Sequence, residues 1–535
     1  MLIRAPLRSL SGYVAKCFLA GAACIALVST PMAVRGAQIP LLPFFEDISD
    51  IIEANPSQMR YGVAIVDVDQ DGRFEAFVTG YAGADGSRGA PNELFNFKDG
   101  RLVNVAPSLG LSAPQRQAIG VAACDVDADG KEEIYVLNTD TYGGDKRFGD
   151  HLFKRNDGGR FEDVMEQDVN AVSRSTFAGR SVACVDRQGT GKYDVAAASY
   201  GRPLLLFEMS DPSTNTVRDV AQEVGFTGVT GGRGITGGPL YPGVQYATRK
   251  GMDVYMDNEN GPSFFFRNDG KGGFTEVARE LGLQDANENG RGVALVDANA
   301  DGRIDIVTGN WNGFHRMWLA PSPDARRTAF VDAAPRELAA PSPIRTVLSA
   351  DFDNDGYPEL FFNNICSCPH DMPSMCASPN RLFKTTDGVH WHAVPVGSAE
   401  ERYGRGTGAA AYDIDGDGLL ELLISHGENR AEPLSLHRVA LYDAAKANHY
   451  VRVLPLTASG APARGALVTL VDGNGRKQVR VIDPGSGYLC QQEPVAHFGL
   501  GLVANIKSIT IEWPSGETRT ILQPALDQQH VVSPA

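Results

Sequence analysis

Five short segments carry oxygen-bearing side chains at their first, third, fifth and ninth positions. They are Asp67, Asp69, Asp71 and Glu75; Asp125, Asp127, Asp129 and Glu133; Asp297, Asn299, Asp301 and Asp305; Asp351, Asp353, Asp355 and Glu359; and Asp413, Asp415, Asp417 and Glu421. Carboxylates packed this closely repel one another unless a hard cation sits among them, and calcium accepts six to eight oxygens in a flexible shell. Glycine at the sixth position, as in Gly72, Gly130, Gly302, Gly356 and Gly418, permits the tight turn that points the ligands inward. Magnesium demands a stricter shell with more water, so calcium is the expected cofactor. The start of each segment is similar to an EF-hand loop, but its last acid comes early and strands flank it. One such segment alone would read as a solvated Asp-Gly turn; five in phase with a repeat point to metal. At an extracellular affinity of roughly 0.1 mM and millimolar calcium, each ion bound only by the folded state adds about 1 to 1.5 kcal/mol.

Two weaker copies complete the set. Asp186 and Asp194 bracket Gln188 and Thr190, which halves the charge and leaves open whether an ion binds. Around Asp253, Arg249 and Lys250 stand where acids would be, so either a protein cation pairs with Asp253 or this is a plain surface turn. The seven copies recur about every 58 residues, a period that decides the architecture. In each unit an apolar strand leads into the acidic loop and a second apolar strand leaves it. Then come a variable loop and a hairpin signalled by Asn-Asp-Gly, as at Asn156-Asp157-Gly158 and Asn268-Asp269-Gly270. Each unit therefore predicts four antiparallel strands. Runs such as Ile134-Tyr135-Val136-Leu137 are apolar on both sides, as blades stacked around an axis require.

The predicted fold class is all-β: a seven-bladed β-propeller followed by a small β-sandwich or barrel domain. Phe44-Phe45-Glu46-Asp47-Ile48 repeats the outer-strand pattern ahead of the first acidic loop, which predicts that it completes the seventh blade, begun near Gly406. The propeller is expected over 37–447, the small domain over 448–525 and a tail over 526–535. A β-solenoid is the alternative, although units this long do not suit its coils. Strand order places the acidic loops on one face and the variable loops on the other. The second face, with Tyr142, Trp311 and Phe314, is the candidate binding surface for an extracellular protein or glycan; loop packing is the competing role for those rings.

The fixed features of the C-terminal segment are Gly485-Ser486-Gly487-Tyr488, His497-Phe498-Gly499-Leu500-Gly501 and Trp513-Pro514-Ser515-Gly516. Here the sequence resembles the ASPIC and UnbV-type domain that follows calcium-binding repeats in cartilage acidic protein and its bacterial relatives. The acidic loops resemble that family's FG-GAP or VCBS repeats. The resemblance covers nearly all of the mature chain and implies a secreted, calcium-binding, integrin-like propeller with no established reaction to transfer. Cys490 departs from it, standing where serine is more usual, and no EGF-like cysteine array follows; animal-type matrix or neuronal roles are not carried over.

Residues 1–36 have the layout of a secretory signal peptide, with Arg4, Arg8 and Lys16 ahead of an apolar run and small residues around Ala33 to Ala37. Uncleaved, that run could anchor the chain; after cleavage no span is expected, and the protein is read as periplasmic or extracellular. A net charge of −16 argues against nucleic acid as partner. Cys366, Cys368 and Cys376 suggest a stapled loop or, with His370 and Met372, a copper(I) or zinc site. Cys124 and Cys184 are read as buried small hydrophobes rather than a bridge, and His497 as structural. No catalytic motif stands out, so no enzyme activity is expected. The alternative is an extracellular polysaccharide hydrolase or lyase whose acids would come from Asp140, Asp145, Asp150 and Glu428.

Overall fold

The structure, a computed structural model, describes residues 42–83, 89–322, 329–366, 377–428, 430–485 and 487–535. The expected leader, Cys368 and Cys376 lie outside them. Seven antiparallel sheets follow one another along the chain, six with the predicted four strands and the third with a fifth, Val229–Gly231, added to its second strand. Their first strands are Gln58–Val66, Ala118–Cys124, Gly179–Val185, Ile235–Gly238, Gly290–Val296, Ile344–Ala350 and Gly406–Tyr412. These strands pack side by side in a closed cycle, with the last against the first. Thr346 Oγ1 donates to the Thr407 carbonyl at 2.8 Å and Thr407 Oγ1 to the Arg60 carbonyl at 2.8 Å, so hydroxyls join the sixth, seventh and first blades near the axis.

The glycines of the first strands answer to this close approach. A β-carbon would lie 2.2 Å from the Arg180 carbonyl oxygen at Gly120, 2.4 Å from that of Arg291 at Gly234 and 2.1 Å from that of Tyr61 at Gly408. No side chain fits there. Closure follows the predicted route: the N-terminal strand Phe45–Asp47 pairs antiparallel with Ser435–Val439, matching Phe45 to Val439 and Asp47 to His437. The seventh blade is thus built from both ends of the ring, which leaves no open pair of sheets. Apolar layers fill the spaces between blades; Val66, Phe77 and Leu94 of the first meet Val121, Ile134 and Phe153 of the second.

One reading of the sequence is overturned. Cys124 and Cys184 form a disulfide, joining the second and third blades with their Cα atoms 6.2 Å apart. They stand near the ends of adjacent first strands, one position out of step: Cys124 pairs across its blade with Glu133, whereas Val185, the residue after Cys184, pairs with Asp194. The ring brings equivalent ends of neighbouring first strands together within bonding range, which linear spacing conceals.

After the ring come a three-stranded sheet, with His449–Pro455 between Ala496–Gly501 and Gln529–Val532, and a four-stranded one of Lys477–Val481, Leu467–Asp472, Ile506–Glu512 and Thr518–Leu522. They share one core, including Val453, Leu470, Phe498, Ile509 and Trp513. Neither sheet closes, so of the two expected forms the sandwich is adopted. Leu42–Ala535 form a single compact unit, because a segment of the sandwich threads the axis of the ring. Along it, Cys184 N–H donates to Pro484 O at 2.8 Å, Val293 and Gly487 exchange two backbone bonds, Val121 N–H donates to Leu489 O, and Gln491 bonds to Val63 and Ile65.

Candidate functional site

Each acidic loop is held open by two backbone bonds. The first-position carboxylate accepts the N–H of the sixth-position glycine: Gly72 to Asp67 at 3.0 Å, Gly130 to Asp125 at 2.9 Å, Gly302 to Asp297 at 2.9 Å, Gly356 to Asp351 at 2.9 Å and Gly418 to Asp413 at 3.0 Å. All five glycines have φ between 80° and 93°, the left-handed turn expected of them. The ninth-position acid, on the second strand, accepts the N–H of the second residue: Val68 to Glu75 at 3.0 Å, Val126 to Glu133 at 2.9 Å, Ala298 to Asp305 at 2.9 Å, Phe352 to Glu359 at 3.1 Å and Ile414 to Glu421 at 3.1 Å. The spacing thus closes a ring of oxygens from both ends of the loop.

Among the described residues, four groups bring three carboxylate oxygens within 4.8 Å of one another: Asp67, Asp69 and Asp71; Asp125, Asp127 and Glu133; Asp351, Asp353 and Asp355; and Asp413, Asp415 and Asp417. In the remaining loop, Asp297 to Asp305, Asn299 donates to Asp301 at 2.7 Å and Arg303 pairs with the same carboxylate. Burial raises these acids: Asp67 to about 6, Glu75 to about 8, Asp305 to about 8 and Asp351 to about 7. An all-oxygen donor set of this kind, buried at the ninth-position acid and open toward the loop tip, fits a hard divalent cation. Two lysines reach in from the third strands. Lys154 pairs with Asp127, and Lys384 Nζ lies 2.8 Å from Asp353, 2.8 Å from Asp355 and 2.6 Å from Glu359.

The weak copies carry their own cations. Arg187 Nε bonds Asp194 at 2.5 Å, and Arg249 pairs with Asp253, as the sequence allowed.

What sequence reasoning missed is the cover over this face. The sandwich touches all five acidic loops: Gln529 donates to Gly72 O at 3.5 Å, Ser459 to Asp125 at 2.8 Å, Lys477 to Gly302 O at 3.4 Å, the Gly499 N–H to Asp351 at 3.1 Å, and Arg452 lies 3.5 Å from Asp413. His497, buried, bonds Asn354 of the fourth of these loops at 2.6 Å, which is the structural role read for it. Arg464 is fully buried and binds Glu132 at 3.0 Å and the Ile65 carbonyl at 2.9 Å. Two arginines and a serine in the C-terminal sequence were the available signal, but nothing in their spacing names their partners.

The four acids considered for hydrolysis are dispersed in role. Asp150 is buried and accepts from Tyr135 Oη and the Asn138 N–H, both at 2.8 Å. Asp145 pairs with Arg202 at the surface, Asp140 accepts the Arg147 N–H, and Glu428 binds Arg345 at 2.7 Å. Of the candidate rings, Tyr142 and Trp311 line a cavity at the mouth of the axis and Phe314 does not; Tyr142 and Phe314 are both exposed. Cys366 is buried just beyond the strand Glu359–Asn364.

The family model for ASPIC and UnbV matches residues 456–535. Cartilage acidic protein 1 of Mus musculus is 44% identical over 491 residues, spanning 87% of this chain and 72% of that protein. The Xenopus tropicalis protein of that name is 43% identical over 516 residues, 90% of this chain and 75% of that protein, and the Homo sapiens one 44% identical over 491 residues, 87% and 70%. In shape, the BP39L lectin from Burkholderia pseudomallei overlays 72% of this chain and 97% of that chain with a TM-score of 0.44 and 10% identity, too distant for any function to be carried across. With matching sequence along the ring and a matching C-terminal domain, the chain belongs to the cartilage acidic protein family.

Proposed function

We propose that the protein is a secreted, calcium-loaded propeller that binds an extracellular protein or glycan and does not catalyse a reaction. One observation carries the calcium reading: every acidic loop lies against the sandwich with its ninth-position acid buried and holds more carboxylates than the cations that reach it. Asp67, Asp69, Asp71 and Glu75 and their equivalents in the other four loops would hold the ions. Calcium would neutralise them and fix the loops on which the sandwich rests. The disulfide between Cys124 and Cys184 favours an oxidising compartment, in line with secretion. Partner binding falls to the opposite face, where the variable loops gather. Catalysis has less support, because Asp150 is committed to Tyr135 and Lys146 inside the blade and Glu428 to Arg345. The test is metal analysis of the purified protein together with a pull-down from the secreted fraction and an incubation of any captured glycan. Bound calcium with an intact captured ligand supports the reading; cleavage of the glycan would replace it with the hydrolase or lyase alternative.

A further inference from the structure

On the variable-loop side, the axis of the ring opens into a cavity of about 450 Å³, within the size range of small-ligand sites. Four of its walls are arginines, one from each of four successive blades: Arg180, Arg233, Arg291 and Arg345. They occupy equivalent places at the start of the first strands, so the repeat itself converges them on the axis. All four are at least nine-tenths buried, at 5%, 1%, 4% and 6% exposure. Four guanidiniums brought out of water together repel one another and cost free energy unless something negative joins them.

The protein supplies only part of that charge. Glu259 pairs with Arg233 and lies 2.8 Å from Arg291, and Glu428 binds Arg345. Arg180 has no carboxylate partner among the described residues; its N–H groups reach the carbonyls of Gly179 and Tyr142, both at 2.7 Å. Donors are left over as well: Nε of Arg233, Nε of Arg291, and both Nε and Nη1 of Arg345 are buried without a partner. The flat faces are held by aromatic rings, with Arg345 at 4.1 Å over Trp311, Arg180 at 5.0 Å over Tyr142 and Arg233 at 5.1 Å over Tyr200. A stacked guanidinium keeps its in-plane N–H fork for a planar or tetrahedral oxyanion.

The floor is Tyr488, carried there by the segment that threads the ring. The phenol lies 5.9 Å from the guanidinium carbons of both Arg233 and Arg345. The four arginines pull its ionisation downward although burial opposes them, so the positive field reaches the bottom of the cavity. This concentration of positive charge stands in a chain of net charge −16.

We propose that this cavity is a binding site for a small polyanion, whose carboxylate, sulfate or phosphate oxygens are gripped by the forks of Arg180, Arg233, Arg291 and Arg345. The inference deepens the reading of this face as the binding face, but it needs no calcium, so metal analysis and anion binding can fail separately. Free oxyanions and acidic saccharides share the chemistry, and the experiment separates them.

Titration calorimetry on the full chain is run with four probes: inorganic sulfate, inorganic phosphate, citrate and a sulfated uronic-acid disaccharide. At least one probe is expected to bind at one site per chain, weakening as salt is raised. Arg180→Met, which orphans no carboxylate, is expected to weaken that probe at least tenfold with an unchanged melting temperature. Arg180→Lys keeps the charge without the fork and should fall between the two. Tightest binding by the disaccharide assigns the source as an acidic glycan, and by sulfate, phosphate or citrate as a free anion. If none of the four binds, or if Arg180→Met and Arg345→Met bind as tightly as the unsubstituted chain, the proposal is overturned.

Discussion

Substituting Arg464 by alanine removes the buried cation that ties the sandwich to the first two blades. The side chain is fully buried, with Nε 3.0 Å from Glu132, Nη1 donating to Asp483 O and Gln492 O, and Nη2 to Ile65 O. Its loss strands the Glu132 carboxylate, which burial already pushes up to about 7 against the pull of Arg464. Breaking such a pair from one side costs about 3–5 kcal/mol. With an unfolding entropy of about 2 cal/mol/K per residue over roughly 500 residues, that is a fall in Tm of roughly 3–5 °C. The sign with pH is also fixed. Without Arg464 the folded pKa of Glu132 rises further, so the substituted protein keeps its proton where the unsubstituted one, at about 7, gives it up, and the deficit, level near pH 5, widens as pH climbs through about 7 to 8. Calorimetric melts of the full chain at the two pH values provide the assay, and Arg464→Met with Glu132→Leu should recover most of the loss because no charge is then left unpaired. A single-substitution cost under about 1 kcal/mol, or a deficit that shrinks with rising pH, would refute the reasoning.

Other outcomes follow from the same geometry. Replacing Cys124 and Cys184 by serine opens a cross-link spanning 60 residues and should cost about 4 kcal/mol by loop entropy, checked by melts of oxidised and substituted protein. Glu401 lies 3.0 Å from His426 and 3.6 Å from His437; burial pushes its carboxyl up, but the two imidazoles outweigh this and hold it well below the usual range, while His426 is raised above 6.5 by Glu401 in spite of burial. A lowered acid stabilises above its unfolded pKa and a raised histidine stabilises until pH passes its folded pKa, so Glu401→Gln should cost more at pH 6 than at pH 9. Lys384→Met removes a cation within bonding distance of Asp353, Asp355 and Glu359, and calcium titration should show that loop binding roughly tenfold more tightly.

The repeat made most of the fold legible. Periodic Asp-x-Asp-x-Asp-Gly segments between apolar strands specify four-stranded blades, and Phe44 to Ile48, misplaced before the first loop, announced how the ring closes. Local rules sufficed there because the ligands, their turn glycine and their strand all lie within nine residues. The rest depends on what the ring brings together. Cys124 and Cys184 meet only because equivalent strand ends converge. The arginines at 180, 233, 291 and 345 gather for the same reason, and each alone is an ordinary charged residue after a glycine or isoleucine. The contact between Arg464 and Glu132, far apart in the chain, is a product of docking. The passage of residues 484–485 and 487–493 through the axis left no periodic trace, since its backbone bonds, its turn and the positive-φ glycines Gly485 and Gly487 follow no repeat.

The most direct test of the account is the metal itself. Elemental analysis of protein purified without chelator, followed by melts with and without a calcium chelator, should find calcium bound to each chain in several copies. Removing five ions worth about 1 to 1.5 kcal/mol each should lower Tm by roughly 5–7 °C and speed hydrogen exchange where Ser459, Gly499 and Gln529 meet the loops. Protein that carries no divalent ion and melts at the same temperature in chelator would contradict it.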